Sequence, residues 1–110
     1  MAVRLLFPTL LFEYNLLEEG LVTETYLQQM KADMDSMRRK DPEGRRISNA
    51  YTGWQSNDGV EGRPIWTKVM RIIKDKLNND VCRFHGIDLG KVQMAVGNCW
   101  ANINDHCAWN

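Results

Sequence analysis

The sequence predicts an α+β fold in a single domain over residues 1–110, with helices at about 22–39 and 65–85 and one long strand at about 91–104. Three observations carry this expectation. Leu27, Met30, Met34 and Met37 recur at three- and four-residue steps, with Tyr26 widening the stripe, which is the period of a helix with one buried face. Ile65, Val69, Ile72, Ile73, Leu77, Val81 and Phe84 form a second continuous helical face. From Lys91 the period falls to two, with Val92, Met94 and Val96 on one side and Lys91, Gln93 and Ala95 on the other, as in a strand.

Composition bounds the function classes. A chain of 110 residues that is 44% hydrophobic has the size and apolar content of one domain with a core. Fourteen basic and 14 acidic residues cancel, so charge makes no case for a nucleic-acid or anionic-membrane partner. No apolar run approaches the roughly 20 residues of a membrane span. The opening Met1–Pro8 has one basic residue and an apolar stretch broken by proline, which does not read as a secretory signal. Three scattered cysteines, an odd count, fit reduced thiols in a cytoplasm better than a disulfide framework.

Taken in order, Val3 to Tyr14 is rich in Leu, Phe and Thr but contains Pro8, so it predicts an edge strand or two short strands with a break. Asn15-Leu16-Leu17-Glu18 has capping-box spacing, and Gly20 keeps any helix there short. Glu13, Glu18, Glu19 and Glu24 read as a solvated acidic surface. Thr23 is the expected N-cap of the first helix, Arg38, Arg39 and Lys40 suit its negative end, and Asp41-Pro42-Glu43-Gly44 stops it. Its methionines read as core filling against a sheet.

Residues 41–64 form the longest loop, with Gly44, Gly53, Gly59, Gly62, Pro42 and Pro64 in it. A loop longer than about 12 residues is usually functional or disordered. Tyr51 and Trp54 argue that part of it packs on the body, so Trp54 either pins the loop or contacts a substrate. Pro64 suits the entry of the second helix and Gly86 its left-handed cap, while Asn78-Asn79-Asp80 is a weak spot that could split it. Arg63, Lys68, Arg71, Lys74, Lys76 and Arg83, interspersed with Asp75 and Asp80, read as a solvated polar face. Beyond Gly97 the strand pattern changes. Trp100, Asn102 and Asn104 continue the first face, whereas Cys99, Ala101 and Ile103 make the second face apolar. Either a bulge at Gly97-Asn98 shifts the phase, or the strand enters a new environment.

Phe7-Pro8-Thr9, Gly53-Trp54-Gln55-Ser56, Trp100-Ala101-Asn102-Ile103-Asn104 and Trp109-Asn110 occur in that order. Together they resemble the 2-oxoglutarate/Fe(II) oxygenase family of phages and bacteria, over essentially the whole chain and about the N-terminal half of a family member. The resemblance implies the N-terminal helices and first strands of a double-stranded β-helix (a jelly-roll, cupin-like fold), truncated before the iron-binding motif expected just after Asn110. It implies an oxygenase or hydroxylase that needs Fe(II) and 2-oxoglutarate as a complete enzyme, with no cofactor expected for this chain alone and the missing half of the barrel as its partner. Such iron is held by two histidines and a carboxylate. His106 falls in the turn before the motif and takes no ligand role, and no catalytic residue or metal ligand is assigned. Trp100, Asn102, Asn104 and Asn110, with Trp54 and Gln55, are the candidates for lining the co-substrate or substrate pocket. A turn or ladder-capping role is open for each asparagine.

Two other readings compete. Cys82, His85, Cys99, His106 and Cys107 supply nitrogen and sulfur donors, but no Cys-x-x-Cys knuckle is present, which weighs against a zinc module. A non-enzymatic α+β interaction module, docking through its aromatic end, is the alternative to the oxygenase.

Overall fold

A computed structural model of the chain describes residues 10–46, 53–92 and 94–106. It is α+β: helix α1 (Glu24–Lys40), strand β1 (Trp54–Gln55), helix α2 (Thr67–Lys76) and strand β2 (Asn102–Ile103), with β1 and β2 forming one antiparallel sheet. The expected opening strand lies partly outside the described residues, and residues 10–15 carry no strand.

Helix α1 begins where its sequence predicts. Thr23 is extended at φ −108°, and its hydroxyl accepts a hydrogen bond from the Tyr26 amide at 3.1 Å, satisfying one of the free N–H groups of the first turn. Ahead of it, the Asn15 side chain accepts from the Glu18 amide at 3.2 Å, and Gly20 at φ +73° ends a single turn. The methionine stripe behaves differently from expectation. Tyr26 is the buried residue of α1, and Met30, Met34 and Met37 are half-buried. The described sheet is only two residues long on each strand, too small to cover a helix face, so α1 packs instead on the 3-10 turn Pro64–Trp66.

Tyr26 makes that packing specific. Its hydroxyl donates to the Ile65 carbonyl at 2.6 Å and accepts from the Val69 amide at 3.3 Å. Val69 lies in the first turn of α2, which has no side-chain N-cap of its own. A tyrosine on one helix therefore caps the other.

The second helix is not uniform. A 3-10 turn at Pro64–Trp66 leads into α2, which widens into a π-helical stretch at Leu77–Cys82. Asn78, Asn79 and Asp80 are poor helix formers because their side chains compete for backbone groups. The chain answers by widening the turn and not by splitting. Cys82 becomes fully buried there. Gly86 at φ +67° closes the helix: its amide donates to Arg83 at 3.1 Å and the Ile87 amide to Cys82 at 2.9 Å. This is the paired cap that requires a left-handed residue.

The expected strand at about 91–104 is much shorter. Among the described residues, ladder pairing is confined to Asn102–Ile103, and residues 94–101 are irregular by hydrogen-bond pattern. Alternation alone does not make a strand, because the backbone also needs a partner. Here the partner, β1, is two residues long. Among the described residues the core consists of Val22, Tyr26, Trp54, Val60, Trp66, Cys82 and Ala101.

Candidate functional site

The two strings Gly53–Ser56 and Trp100–Asn104, distant in sequence, zip into one ribbon. Trp54 pairs with Ile103 and Gln55 with Asn102. Ser56 extends the pairing by an unusual route: its amide donates to the Ala101 carbonyl at 2.9 Å, and its hydroxyl accepts from the Ala101 amide at 2.9 Å. The same hydroxyl donates to the Asn57 carbonyl at 2.8 Å. The Gly59 and Val60 amides then both reach the Cys99 carbonyl, at 3.1 and 3.2 Å. Gly53 is required at the crossing, because a β-carbon there would stand 2.9 Å from the Ile103 carbonyl oxygen and 3.0 Å from Asn104 Oδ1.

Trp54 pins the loop. It is 4% exposed, and its indole N–H donates to the Asp41 carbonyl at the end of α1 at 2.9 Å. Gly44, at φ +60°, lies against it, and a β-carbon on Gly44 would come within 2.7 Å of the indole nitrogen. The Asp41 carboxylate accepts from the Gly44 amide and from Asn57 Nδ2, each at 3.2 Å. Of the two sequence readings of Trp54, this geometry is that of an anchor.

The ribbon divides the candidate residues. Ala101 is buried and Cys99 and Ile103 half-buried, while Trp100, Asn102 and Asn104 are exposed, with Trp100 at 46%. The apolar face of the strand beyond Gly97 is the inner one, so Trp100, Asn102 and Asn104 share an outer polar face. Trp54 and Gln55 are both buried, Trp54 on the inner face with Ile103 and Gln55 on the face of its partner Asn102, the Gln55 carbonyl accepting from the Arg45 amide at 2.8 Å. Asn110 lies outside the described residues, as do Phe7, Pro8, Thr9 and Trp109. A hollow of about 270 Å³ opens beside the ribbon, lined by Met37, Lys40, Asp41, Trp54, Ser56 and Arg63 among others. Trp54 borders it; Gln55, Trp100, Asn102 and Asn104 do not.

Two ion pairs tie α1 to the rest of the chain, one to the entry of the second helix and one to the segment just past β2, and neither is legible as a pair in the sequence. Asp33 accepts from Arg63 Nε at 2.7 Å and from a second guanidinium nitrogen at 2.6 Å, and from the Trp66 indole at 2.9 Å. The Arg63 hydrogen bonds hold the Asp33 carboxyl below its ordinary range, against the opposing effect of burial. Arg63 is thus a partner of α1 and not part of a solvated stripe. Arg38 grips Asp105 with two bonds of 3.1 and 2.9 Å, tying the chain just past β2 to α1. That pairing holds the Asp105 carboxyl below its usual value. Burial, and to a lesser extent nearby Glu61, push the Cys99 thiol pKa upward, which favours the thiol over the thiolate.

Among the described residues, no three His, Cys, Asp or Glu side chains converge on a point that could hold a metal ion. Cys82 is buried with a free thiol, and His85 packs edge-on against Phe84 with ring centres 5.6 Å apart. The described donor set does not fit Fe(II). No described helix is long and apolar enough to cross a membrane. Comparison of the chain with protein-family models, curated proteins and solved structures finds no match.

Proposed function

We propose that this chain is the N-terminal part of a 2-oxoglutarate- and Fe(II)-dependent oxygenase, with the outer face of the β1–β2 ribbon forming one wall of the co-substrate or substrate pocket. The observation that carries the reading is the pairing of Gly53–Ser56 with Ala101–Asn104. These are two of the strings on which the family resemblance rests, and their adjacency supports a common role. Trp100, Asn102 and Asn104 are uncharged groups on one exposed face, suited to stack against and hydrogen-bond a small polar molecule. Iron, in this reading, is held by residues outside 10–106, and it supplies O₂ activation when bound. The described residues contribute position. Trp54 and the Arg38–Asp105 pair fix the ribbon to α1 and so fix the direction of the chain after Asn104.

The test is anaerobic titration of Fe(II) and 2-oxoglutarate into residues 1–110 and, separately, into any longer product of the same reading frame. The reading expects 2-oxoglutarate binding that depends on Fe(II) in the longer product and none in residues 1–110. Tight Fe(II) binding by residues 1–110 would contradict it, and so would a folded longer product that binds neither.

A second reading, a non-enzymatic α+β interaction module, is favoured by one observation. Leu10, Leu11, Ile73 and Phe84 are exposed large apolar side chains, with Leu11 at 85% and Phe84 at 66%. A folded longer product that binds neither Fe(II) nor 2-oxoglutarate would favour this role.

A further inference from the structure

Helix α2 carries an apolar stripe, yet none of its residues is buried. The stripe forms one wall of a hollow of about 320 Å³, which lies between α2, the π-helical stretch that follows it, and residues 12–16. Among the described residues, Ile72, Ile73, Leu77 and Val81 line one side and Phe12 and Leu16 the other. All six are half-buried except Ile73, which is 45% exposed and marks the side from which solvent reaches the hollow.

The wall opposite α2 is fixed in place. Phe12 packs edge-on against Phe84 with ring centres 5.9 Å apart, and the Tyr14 hydroxyl donates to Asp80 at 2.7 Å. Lys76 donates to Glu19 at 2.8 Å and lies over the Tyr14 ring at 4.7 Å. Tyr14 and Lys76 are the polar residues of the described lining, and each is already paired. A ligand carboxylate would have to displace Glu19 from Lys76 and would then meet the field of Asp80 as well. Leu77 and Val81 belong to the π-helical stretch, a geometry that recurs at functional sites. An apolar hollow with few polar groups is the usual form of a small-molecule site.

We propose that this hollow binds a neutral, mostly hydrocarbon molecule of about ten carbons. The size follows from the volume. A dry apolar cavity of about 150 Å³ takes benzene, and this hollow, at about 320 Å³, is roughly twice as large. The neutrality follows from the rim, where Glu19 balances Lys76 and Asp80 holds the Tyr14 hydroxyl. Attraction comes from removing the ligand's apolar surface, and that of the half-buried side chains around it, from water. The inference is independent of the oxygenase reading, since none of the residues named for the outer face of the ribbon lines this hollow and its test uses no iron.

The experiment is titration of residues 1–110 with butylbenzene, read from the methyl resonances of isoleucine, leucine and valine, with phenylbutyrate as the charged analogue. Butylbenzene should saturably shift the methyls of Ile72, Ile73, Leu77 and Val81, and phenylbutyrate should bind at least about tenfold more weakly. Ile73→Asp and Ile73→Leu are measured beside the parent. Ile73 is 45% exposed, so both variants are expected to fold, which far-ultraviolet circular dichroism checks. Ile73→Asp sets a carboxylate at the mouth and should weaken butylbenzene binding at least about tenfold, while Ile73→Leu should retain it. The parent's shift pattern and the comparison of the two probes stand whether or not a variant folds. Absence of saturable shifts in the parent would overturn the proposal. So would equal shifts at Leu89, Val92 and Val96, exposed apolar residues outside the hollow, or phenylbutyrate binding as tight as that of butylbenzene, or binding that survives Ile73→Asp.

Discussion

The Ser56 hydroxyl stands in for a backbone carbonyl, accepting the Ala101 amide at 2.9 Å while the Ser56 amide returns a bond to the Ala101 carbonyl. Ser56 is 4% exposed, so water cannot replace it. Ser56→Ala should leave the Ala101 amide unpaired and cost about 1–3 kcal/mol. Urea unfolding followed by tryptophan fluorescence reads the loss directly, and an unchanged midpoint would show that the hydroxyl does not hold the ribbon.

Asp33 provides a pH signature. Its pKa is lowered in the folded state, chiefly by Arg63, so the stability it contributes is present above the ordinary carboxylate value of about 3.9. That contribution is lost as pH falls through the lower folded value. Asp33→Asn should cost about 1–2 kcal/mol at neutral pH, discounted for the partial exposure of the pair. The gap between variant and parent melting temperatures should close in strong acid. A constant gap at all pH values would assign the effect to packing.

Gly44 and Gly20 separate backbone strain from crowding. Both have positive φ, +60° and +73°, but only Gly44 lies against the Trp54 indole, while Gly20 has open space around it. Gly20→Ala should cost about 1–2 kcal/mol from the left-handed backbone alone. Gly44→Ala should cost clearly more and should red-shift Trp54 emission as the indole loses its seat. Equal costs would remove the argument that Gly44 is there for close approach.

Tyr14 should titrate late. Its hydroxyl donates to Asp80 at 2.7 Å, and that hydrogen bond is the main cause pushing its pKa up to about 12. The contribution of this contact is intact below the ordinary tyrosine value of about 10 and is lost as pH rises through 12. Alkaline absorbance titration of the folded chain should show one delayed phenol, absent in Tyr14→Phe.

Much of the helical scaffold was legible in the sequence, because helix ends are written in local chemistry. Thr23, Pro64 and Gly86 each stand where the structure uses them. The Asn78-Asn79-Asp80 weakness was legible as a place, although its outcome, a π-helical stretch, was not. The phase change after Gly97 was legible too, and its inner face is the one with Ala101. The strand length was not, since alternation reports a face while hydrogen bonding requires a partner. Nor were Asp33–Arg63 and Arg38–Asp105 legible, at separations of 30 and 67 residues. Arg63 reads from the sequence as the first of the basic residues that run along the second helix, whereas its neighbour in space is an aspartate. Trp54 shares a motif reading with Trp100, Asn102 and Asn104, yet strand alternation sends it to the opposite face, while Gln55 lies on the face of Asn102 but is buried.

The central claim is that the outer face of the ribbon serves a 2-oxoglutarate-dependent oxygenase. It is tested most directly by succinate formation from 2-oxoglutarate under Fe(II) and O₂, using the product of the reading frame that contains residues 1–110, with Asn102→Ala and Asn104→Ala beside it. The account predicts succinate in the parent and at least about a tenfold loss in each variant, as expected when one positioned hydrogen bond is removed, with thermal stability unchanged. No succinate from a folded parent, or variants as active as the parent, would contradict it.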